Sequence, residues 1–416
     1  MNSNNPGEQH NHRRKAKAII EPSSSALDGI ILFRFAHMLR SSSSGGVEAY
    51  LKNLNRQLLE RNKMQILQMY VTAEGEASGV EVERIGRGEL IWIPSFIKSN
   101  LWQQRSKMKK LWAKINGPFG TQSIINHDLL LSTLANYQIN LAVFHWISED
   151  SPIVLDYLNR RSVPFVVVNH FQNARLNRRC IRRQISKARA VGGVSSVNVP
   201  SFLSSRFTNL SDGIDTDFFQ PGKAIPLERK IKDPLIMLPS RITEGKGHID
   251  AVKALGWLAH ARISAVLVFA GRSESPAFME KLQRVISEEG VQERVIFAGK
   301  LSSEELRNWY AASSLVLLPS YSEGLGKVLL EAQSMERPAA AYEVGGVTEA
   351  IQHSETGYLV KKGDIEGLAS RLKEFIEDPD MRREMGKRGR TFVIERFSME
   401  SLTIRHEEFY AKTLNK

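Results

Sequence analysis

The sequence lacks the features that mark secreted, membrane-spanning or fibrous proteins. Its 416 residues include one cysteine, Cys180, which excludes an internal disulfide and any thiolate metal cluster within one chain and is typical of a reducing compartment. No stretch approaches the ~18 uncharged apolar residues that a membrane-spanning helix needs. The polar, basic residues 1–17 have no apolar centre of the kind found in signal peptides. These absences predict a cytoplasmic protein.

The composition is that of a globular protein whose positive charge is unevenly placed. With 42% hydrophobic and 25% charged residues, the chain has enough length for two or three domains of ~100 to 200 residues each. Residues 1–210 carry 28 Lys and Arg against 14 Asp and Glu, whereas the remainder carries 29 against 31. Because the basic surplus lies in the first half, that half is expected to meet an anionic partner.

Apolar runs and helical spacings alternate along both halves of the chain. Strands are predicted at 29–33, 65–71, 141–144 and 163–168 in the first half, and at 235–238, 265–270, 294–298, 315–318 and 339–342 in the second. The run 165–168 is apolar throughout, as in a parallel strand that is covered on both faces. The pattern predicts two α/β units in tandem, each a doubly wound, Rossmann-like sheet.

Turn-forming residues cluster over residues 205–232, between the two series. We expect four regions: a disordered basic tail over 1–26, an N-terminal domain over 27–207, a C-terminal domain over 208–396, and a C-terminal helix over 397–416 that returns to the N-terminal domain. Two wound sheets joined in this way face a cleft. Ligands bind such sheets outside the carboxyl ends of the strands, so the loops that follow strands are the candidate sites.

A glycine-rich turn, Ser-Ser-Ser-Ser-Gly-Gly at 41–46, separates the first predicted strand from a helix. Backbone N–H groups and the helix dipole at Gly45 and Gly46 suit a phosphate or an oxyanion. The spacing matches neither Gly-x-Gly-x-x-Gly nor a P-loop. A tight turn with a serine cap is therefore the alternative interpretation.

The loop 240–247 follows the first strand of the second half and contains Arg241 and Lys246 among glycines. Two cations in one loop at a strand end can converge on one anion, and the guanidinium can hold a phosphate with two N–H donors. A diphosphate is the expected occupant.

Residues 319–331 follow a buried strand, contain two glycines in a turn and open a helix. The carboxylates of Glu323 and Glu331 can face the same cleft, where they suit the hydroxyls of an extended, polyhydroxylated ligand. The N–H groups around Gly324, Leu325 and Gly326 can meet its anionic middle. Taken alone, Glu331 is better explained as an exposed helical glutamate; the whole constellation favours the site.

The stretch from Glu323 to Glu331 resembles the Glu-x7-Glu signature of retaining glycosyltransferase family 4, whose members have the two-domain GT-B fold. Three further parts of the second half resemble that family: 212–221, which corresponds to its linker, 240–247, which corresponds to its Arg-x4-Lys-Gly loop, and the closing segments 345–351 and 356–360. In the first half the likeness is limited to 45–48 and to histidines at strand ends.

The resemblance implies roles for the residues of the second half. Arg241 and Lys246 would bind the donor diphosphate and stabilise it as a leaving group. Glu331 would hold the ribose hydroxyls, and Glu323 would contact the transferred sugar, assisted by the N–H groups of residues 324–326. The backbone around Leu301 would recognise the base.

The resemblance also implies roles for the first half and identifies departures from the family. Gly45 and Gly46 would approach the phosphate or the sugar, and His170 would lie near the reaction centre, with His145 as a second candidate of the same kind. A purely structural histidine is the alternative for both. Ser240 stands where the family commonly has Gly, and Lys327 where an apolar residue is frequent; Lys327 either adds a third cation or points outward.

The implied reaction needs no cofactor, because the nucleoside diphosphate sugar is a co-substrate, and no metal, because cations and a helix N-terminus can stabilise the leaving group. Retention of anomeric configuration is implied as well. Two Asp-x-Asp pairs, at 215–217 and 378–380, are interpreted as turns because neither follows a buried strand. The expected partners are a nucleotide-sugar donor and a glycan or lipid-linked acceptor of polysaccharide or glycolipid biosynthesis.

The basic first half suggests a surface for anionic lipid. Residues 96–115 combine Trp102 and Trp112 with six cations, a pattern typical of an interfacial amphipathic helix, and residues 175–189 add seven more. We expect a peripheral protein on the inner face of the membrane. A solvated basic face or a site for an anionic soluble acceptor is the alternative.

Two other functions compete with glycosyl transfer. Nucleic-acid binding is disfavoured because no helix-turn-helix, zinc finger or aromatic sheet motif is present. A sugar-nucleotide epimerase or a phosphorylase remains a competing reaction.

Overall fold

The computed structural model describes residues 25–39, 46–73, 80–97, 127–145, 151–170, 179–228 and 231–415. These residues form two mainly parallel sheets, of eight and six strands, each flanked by helices. The predicted fold class, two doubly wound α/β domains in tandem, is confirmed.

The N-terminal sheet has the strand order β3-β4-β2-β1-β5-β6-β7-β8. Its strands are β1 (Ile31–Leu39), β2 (Gln65–Ala73), β3 (Glu81–Ile85), β4 (Gly88–Ile97), β5 (Leu141–Phe144), β6 (Phe165–Asn169), β7 (Ala190–Gly193) and β8 (Phe207–Asn209). Its helices are α1 (Gly46–Arg61), α2 (His127–Leu134), α3 (Ser151–Arg160) and α4 (Arg179–Ile185). All pairs are parallel except β3 with β4, an edge hairpin.

The strand β4 corrects one prediction. Phe96 and Ile97, which begin the predicted amphipathic helix 96–115, instead pair with Thr72 and Ala73 at the end of β2. Their backbone groups are committed to the sheet ladder, so a helix cannot start there. The remainder of that segment, with Trp102 and Trp112, lies outside the described residues.

The C-terminal sheet has the strand order β11-β10-β9-β12-β13-β14, with all pairs parallel. Its strands are β9 (Leu235–Leu238), β10 (Val266–Ala270), β11 (Val295–Gly299), β12 (Leu315–Leu318), β13 (Ala339–Tyr342) and β14 (Gly357–Val360). Its helices are α5 (His248–His260), α6 (Pro276–Glu288), α7 (Ser303–Ala312), α8 (Lys327–Ser334), α9 (Val347–Ala350), α10 (Ile365–Glu377) and α11 (Pro379–Phe397). The strand order reverses between β9 and β12, which places a ligand crevice at their carboxyl ends.

Local sequence explains several of these helix starts. Ser302 and Glu305 form a reciprocal capping box at the start of α7. Ser275 accepts the Phe278 N–H at the start of α6, and Asp378 accepts the Met381 N–H at the start of α11. Asp215 likewise accepts the Phe218 N–H at 2.8 Å, so the first aspartate of each Asp-x-Asp pair satisfies a backbone donor.

The last helix, α12 (Met399–Leu414), packs against the N-terminal domain. Leu402, Phe409 and Tyr410 are buried in the same core as α1, and Arg61 of α1 forms an ion pair with Glu407 at 3.0 Å. The chain therefore crosses between the domains twice. The two crossings pair with each other: the Ile214 N–H donates to the Phe397 carbonyl at 2.7 Å, and the Met399 N–H donates to the Ile214 carbonyl at 3.1 Å.

The first crossing lies later than the predicted boundary between residues 207 and 208. Residues Phe207–Asn209 form β8, which pairs with β7, and Leu210 is buried in the N-terminal core. The boundary prediction rested on turn-forming residues, and this short edge strand is embedded among them.

Candidate active site

Two loops of the C-terminal domain are packed backbone to backbone at the crevice. The loop 240–247 follows β9, and the loop 319–326 follows β12. Gly247 has φ +72°, and a Cβ there would lie 1.9 Å from the Pro319 carbonyl oxygen, so only glycine fits. The Tyr321 N–H donates to the Gly245 carbonyl at 3.0 Å. The loops thus form one rigid surface that carries the predicted cations and carboxylates together.

Lys246 and Glu323 meet on this surface. The Lys246 Nζ donates to the Glu323 Oε1 at 2.5 Å, and both side chains are largely buried, with 23% and 12% of their surface exposed. A cation and an acceptor that the sequence predicted separately are therefore in direct contact. An anion that enters here would compete with Glu323 for Lys246, because both offer oxygen acceptors to the ammonium group.

Arg241 lies apart from that pair. Its Nη1 donates to the Glu274 Oε1 at 2.7 Å, and its side chain is 59% exposed. Each cation thus holds a different carboxylate, and the convergence of Arg241 and Lys246 on one anion stays a prediction. Glu274, from the loop after β10, is a neighbour that the sequence did not reveal.

Glycines shape the turn that leads into α8. A Cβ on Gly345 would lie 2.1 Å from the Glu323 carbonyl oxygen, and one on Gly346 would lie 2.0 Å from that of Gly324. The Gly346 N–H donates to the Gly324 carbonyl at 2.9 Å. Leu325 is buried and anchors the turn from inside. The turn leads from Glu323 into α8, and the first N–H groups of a helix have no acceptors within the helix.

Glu331 is buried within α8, so the alternative of an exposed helical glutamate is wrong. Its Oε2 accepts a hydrogen bond from the Tyr310 hydroxyl at 2.9 Å. Burial raises the pKa of Glu331, and the Lys327 charge and the Tyr310 hydroxyl oppose that shift. Tyr310, fully buried in α7, was missed by the sequence analysis because its partner is 21 residues away.

Lys327 occupies the first position of α8 and is half-buried. Its charge lowers the pKa of Glu331 and of Asp212, opposing burial, which raises both. It also lowers the pKa of His170 in the other domain. The charge of Lys327 therefore acts on groups of both domains, and its role as a third cation stays a prediction.

His145 and His170 form a pair at the carboxyl ends of the neighbouring strands β5 and β6. The Nδ1 of His145 lies 2.9 Å from the Nε2 of His170, and the rings stack with centroids 5.2 Å apart. Burial lowers the pKa of His145 well below its usual value, with Arg34 adding to the shift. Burial, Arg34 and Lys327 lower the pKa of His170 to about 3. Both imidazoles are therefore neutral near pH 7.

Two further residues of the N-terminal domain support this pair and were missed by the sequence analysis. Arg34 of β1 is fully buried and places its Nη1 3.2 Å from the Nε2 of His145. The Tyr50 ring of α1 meets the His170 ring edge to face at 5.0 Å. An arginine inside the apolar run of β1 was the available signal, since a buried guanidinium needs a reason.

The two domains approach each other around these groups. A Cβ on Gly324 would lie 3.8 Å from the His170 carbonyl oxygen. Glu349 of α9 accepts hydrogen bonds from the N-terminal domain: from the Ser195 hydroxyl at 3.0 Å, the Ser196 N–H at 2.7 Å and the Asn209 amide at 2.8 Å. The cleft between His170 and the loop 319–326 is thus narrow and bridged at one edge.

The other predicted residues are more peripheral or lie outside the described residues. Leu301 is half-buried after β11 and packs against the C-terminal core. Gly46 begins α1, whereas Gly45 lies outside the described residues.

Within the described parts of the chain, no group of three or more His, Cys, Asp or Glu is placed to hold a metal ion. The helices described there include none with the length and apolarity required to cross a bilayer.

Comparison with known sequences gives partial matches. The family model for glycosyl transferases group 1 matches residues 224–392. N-acetyl-alpha-D-glucosaminyl L-malate synthase of Bacillus anthracis is 34% identical over 165 residues, which are 40% of this chain and 42% of that protein. A GDP-mannose-dependent phosphatidylinositol monomannoside mannosyltransferase of Mycobacterium tuberculosis is 29% identical over 51% of this chain and 60% of its own length. The chain spans about half the length of the curated relatives it matches.

Comparison with solved structures extends over both domains. Sucrose-phosphate synthase of Thermosynechococcus elongatus superposes with a TM-score of 0.68 over 92% of this chain and 99% of that one, at 17% identity. At this identity the likeness shows the fold. Together with the match over residues 224–392, it leads to one conclusion: the chain has the GT-B fold, and residues 224–392 are similar to the group 1 glycosyl transferases.

Proposed function

We propose that the protein is a retaining glycosyltransferase that moves a hexose-type sugar from a nucleoside diphosphate sugar to an acceptor hydroxyl without a metal ion. The observation that carries this proposal is the contact between Lys246 and Glu323. These two side chains touch, and the neighbouring Gly324 approaches the His170 carbonyl. In this proposal Lys246 binds the diphosphate and Glu323 accepts sugar hydroxyls.

Leaving-group departure develops negative charge on the diphosphate, and the C-terminal domain offers donors for that charge. Lys246 and the N–H groups at the start of α8 surround the crevice, and Lys327 lies at the same helix end. Arg241 is 59% exposed, and its contact with Glu274 lies at the surface, so it can exchange that carboxylate for a phosphate. Preorganised donors of this kind typically contribute ~10² to 10³ in rate each.

Recognition of the nucleoside and the sugar is divided between the two glutamates. Glu331, buried and oriented by Tyr310, is a rigid acceptor suited to a ribose diol. Glu323 precedes Gly324, which approaches the His170 carbonyl across the cleft, and this is where the transferred sugar and the acceptor hydroxyl meet in this proposal. In a retaining reaction the acceptor attacks from the face that the diphosphate leaves, so a phosphate oxygen is the proton acceptor in this proposal.

Acceptor-dependent release of nucleoside diphosphate tests the reaction. Donors with uridine, guanosine and adenosine bases are first ranked by thermal shift, since a ligand at 100 times its dissociation constant adds ~2.7 kcal/mol of stability. Release that needs an acceptor supports transfer, and an NMR spectrum of the product's anomeric proton tests retention. An epimerase instead converts the sugar nucleotide without an acceptor, and a phosphorylase requires inorganic phosphate.

The acceptor is proposed to be a glycan or a lipid-linked glycan, with the protein peripheral on the inner face of the membrane. The matched mannosyltransferase is named for a phosphatidylinositol-based acceptor. In this chain Arg182, Arg183, Lys187 and Arg189 are exposed on and after α4. Exposed cations near an anionic leaflet contribute ~1 kcal/mol each.

Vesicle sedimentation tests the membrane proposal. The protein should bind vesicles containing anionic lipid at low salt and leave them as the Debye length falls from ~10 Å at 0.1 M to ~3 Å at 1 M. Replacing Arg182 and Arg183 by Gln should weaken binding, whereas replacing the exposed Lys253 and Arg284 of the C-terminal domain by Gln should not. If wild-type protein ignores such vesicles at low salt, an anionic soluble acceptor becomes the better explanation of the basic half.

A further inference from the structure

A buried arginine without a full set of partners lies beneath the paired histidines. Arg34 is 0% exposed, and its Nη1 reaches the Nε2 of His145 at 3.2 Å. Its Nε and Nη2 are buried and have no hydrogen-bond partner of normal geometry within the part of the chain that the structure describes, and its other polar neighbour there is Tyr410, whose pKa Arg34 lowers against the effect of burial. Burying a guanidinium in this way is costly, so its contact with His145 calls for a functional explanation.

The contact with Arg34 determines where His145 carries its proton. A guanidinium only donates hydrogen bonds and does not lose its proton in proteins. The Nε2 of His145 must therefore accept, and it carries no hydrogen. Since burial keeps His145 neutral, its single ring proton is on Nδ1.

The same reasoning shows which ring nitrogen of His170 carries the proton. The protonated Nδ1 of His145 donates to the Nε2 of His170 across 2.9 Å, so that nitrogen also carries no hydrogen. His170 is neutral as well, and its proton is therefore on Nδ1. The stacked His145 ring and the edge of the Tyr50 ring contact the imidazole of His170, and the Tyr50 hydroxyl is bonded to the Nε2 of His406 at 2.6 Å. These contacts hinder rotation of the His170 ring.

We infer that Arg34 sets the tautomers of His145 and His170, so that His170 presents an N–H donor at Nδ1 rather than a lone pair. Arg34 is then a positioning residue that acts through His145. Only the identity of the ligand oxygen that receives this hydrogen bond rests on the proposed function. In this tautomer His170 can donate to a sugar or phosphate oxygen, and its Nδ1 cannot take a proton from the acceptor hydroxyl.

Nitrogen NMR of protein labelled with ¹⁵N-histidine tests the inference without any substrate. Long-range proton–nitrogen spectra distinguish a protonated from an unprotonated ring nitrogen. The resonances are assigned by their loss in His145→Gln and His170→Asn. In wild-type protein, both histidines should show an unprotonated Nε2 and a protonated Nδ1. A protonated Nε2 in wild-type His170 overturns the inference.

Variants of Arg34 distinguish control of the histidine tautomers from a role in packing alone. Arg34→Met keeps an extended side chain without a donor, and both histidines should shift toward the form protonated at Nε2. Arg34→Lys keeps a donor and should retain the wild-type tautomers. Arg61→Met, on the surface between α1 and α12, is the matched control and should leave both unchanged. Unchanged tautomers in a folded Arg34→Met protein contradict the inference; if that variant does not fold, the wild-type and Arg34→Lys spectra decide.

Turnover supplies a second measurement once a donor is known. Arg34→Met should lower kcat on the order of 10-fold to 10²-fold, as expected for a misoriented group in the site, with KM for the donor little changed. Arg34→Lys should restore most of the loss. Reversed tautomers in Arg34→Met with no glycosyl transfer in wild-type protein would defeat the proposed function and leave the control of the tautomers by Arg34 standing.

Discussion

The two domains supply opposite kinds of chemistry to one cleft. The C-terminal domain contributes charged side chains on glycine-shaped loops, with Arg241 and Lys246 each paired to a carboxylate that a ligand can displace. The N-terminal domain contributes neutral histidines over a buried arginine, already bonded to one another. In the proposed function, the charged side stabilises the developing charge of the diphosphate, and the neutral side orients a ligand oxygen through a hydrogen bond. The following variants test that division.

The largest effect is expected at the charged side. Lys246→Ala removes the cation in contact with Glu323 and should lower turnover by ~10² to 10³ at saturating donor, because one preorganised donor to the developing charge is lost. Lys253→Ala, an exposed lysine on α5, is the control and should retain wild-type turnover. Near wild-type turnover in Lys246→Ala would refute the diphosphate assignment.

A second test separates the two glutamates. Glu331→Gln should weaken free nucleoside diphosphate by ~10-fold to 10²-fold, since a hydrogen bond to a charged acceptor contributes ~1.5 to 3 kcal/mol. Glu323→Gln should affect mainly the intact sugar nucleotide. Calorimetry with both ligands measures this. Equal losses for the two variants would show that the carboxylates do not divide ribose from sugar.

The neutral side predicts a dependence of stability on pH. The pKa of His170 is lowered to about 3 in the folded protein, whereas an unfolded histidine titrates near ~6.5. The unfolded state therefore binds a proton first as the pH falls, and stability should decrease from about pH 6.5 toward pH 3, by up to ~1.4 kcal/mol per pH unit for this group. In urea unfolding at several pH values, the free energy of unfolding of His170→Asn should fall less steeply with decreasing pH than that of wild-type protein. An identical slope in both proteins means that His170 is not held neutral by the fold.

The smallest effect is expected at Tyr310, the neutral residue whose hydroxyl donates a hydrogen bond to Glu331. Tyr310→Phe removes the hydroxyl that orients Glu331 and should cost ~0.5 to 1.5 kcal/mol of nucleoside diphosphate affinity. Tyr342→Phe removes a hydroxyl bonded to Asp250 at 2.7 Å instead and is the matched control. If both variants bind the nucleotide as wild-type protein does, Glu331 needs no orientation by Tyr310.

Element positions in the C-terminal domain were predictable because its strands are short apolar runs bounded by turns. The predicted strands 315–318 and 339–342 agree with β12 and β13. The hairpin of β3 and β4 was not predicted, since β3 lies at an exposed edge and contains Glu81, Glu83 and Arg84. A strand that buries little leaves a weak hydrophobic pattern.

The sequence predicted which residues form the candidate site better than it predicted which residues they contact. Lys246, Glu323 and His170 follow strands, and the carboxyl ends of parallel strands gather such residues at one edge. The pairing of Arg241 with Glu274, the burial of Glu331 against Tyr310 and the role of Arg34 depend on contacts between distant segments. Spacing along one sequence does not contain that information.

The paired crossings at Ile214 and Met399 have a mechanical consequence. Two backbone hydrogen bonds join these two segments side by side, so the domains are connected by two paired segments rather than by one flexible linker. We therefore expect the cleft to open mainly by rotation about this pair of segments. Cutting the chain at either crossing would leave the domains connected by the other.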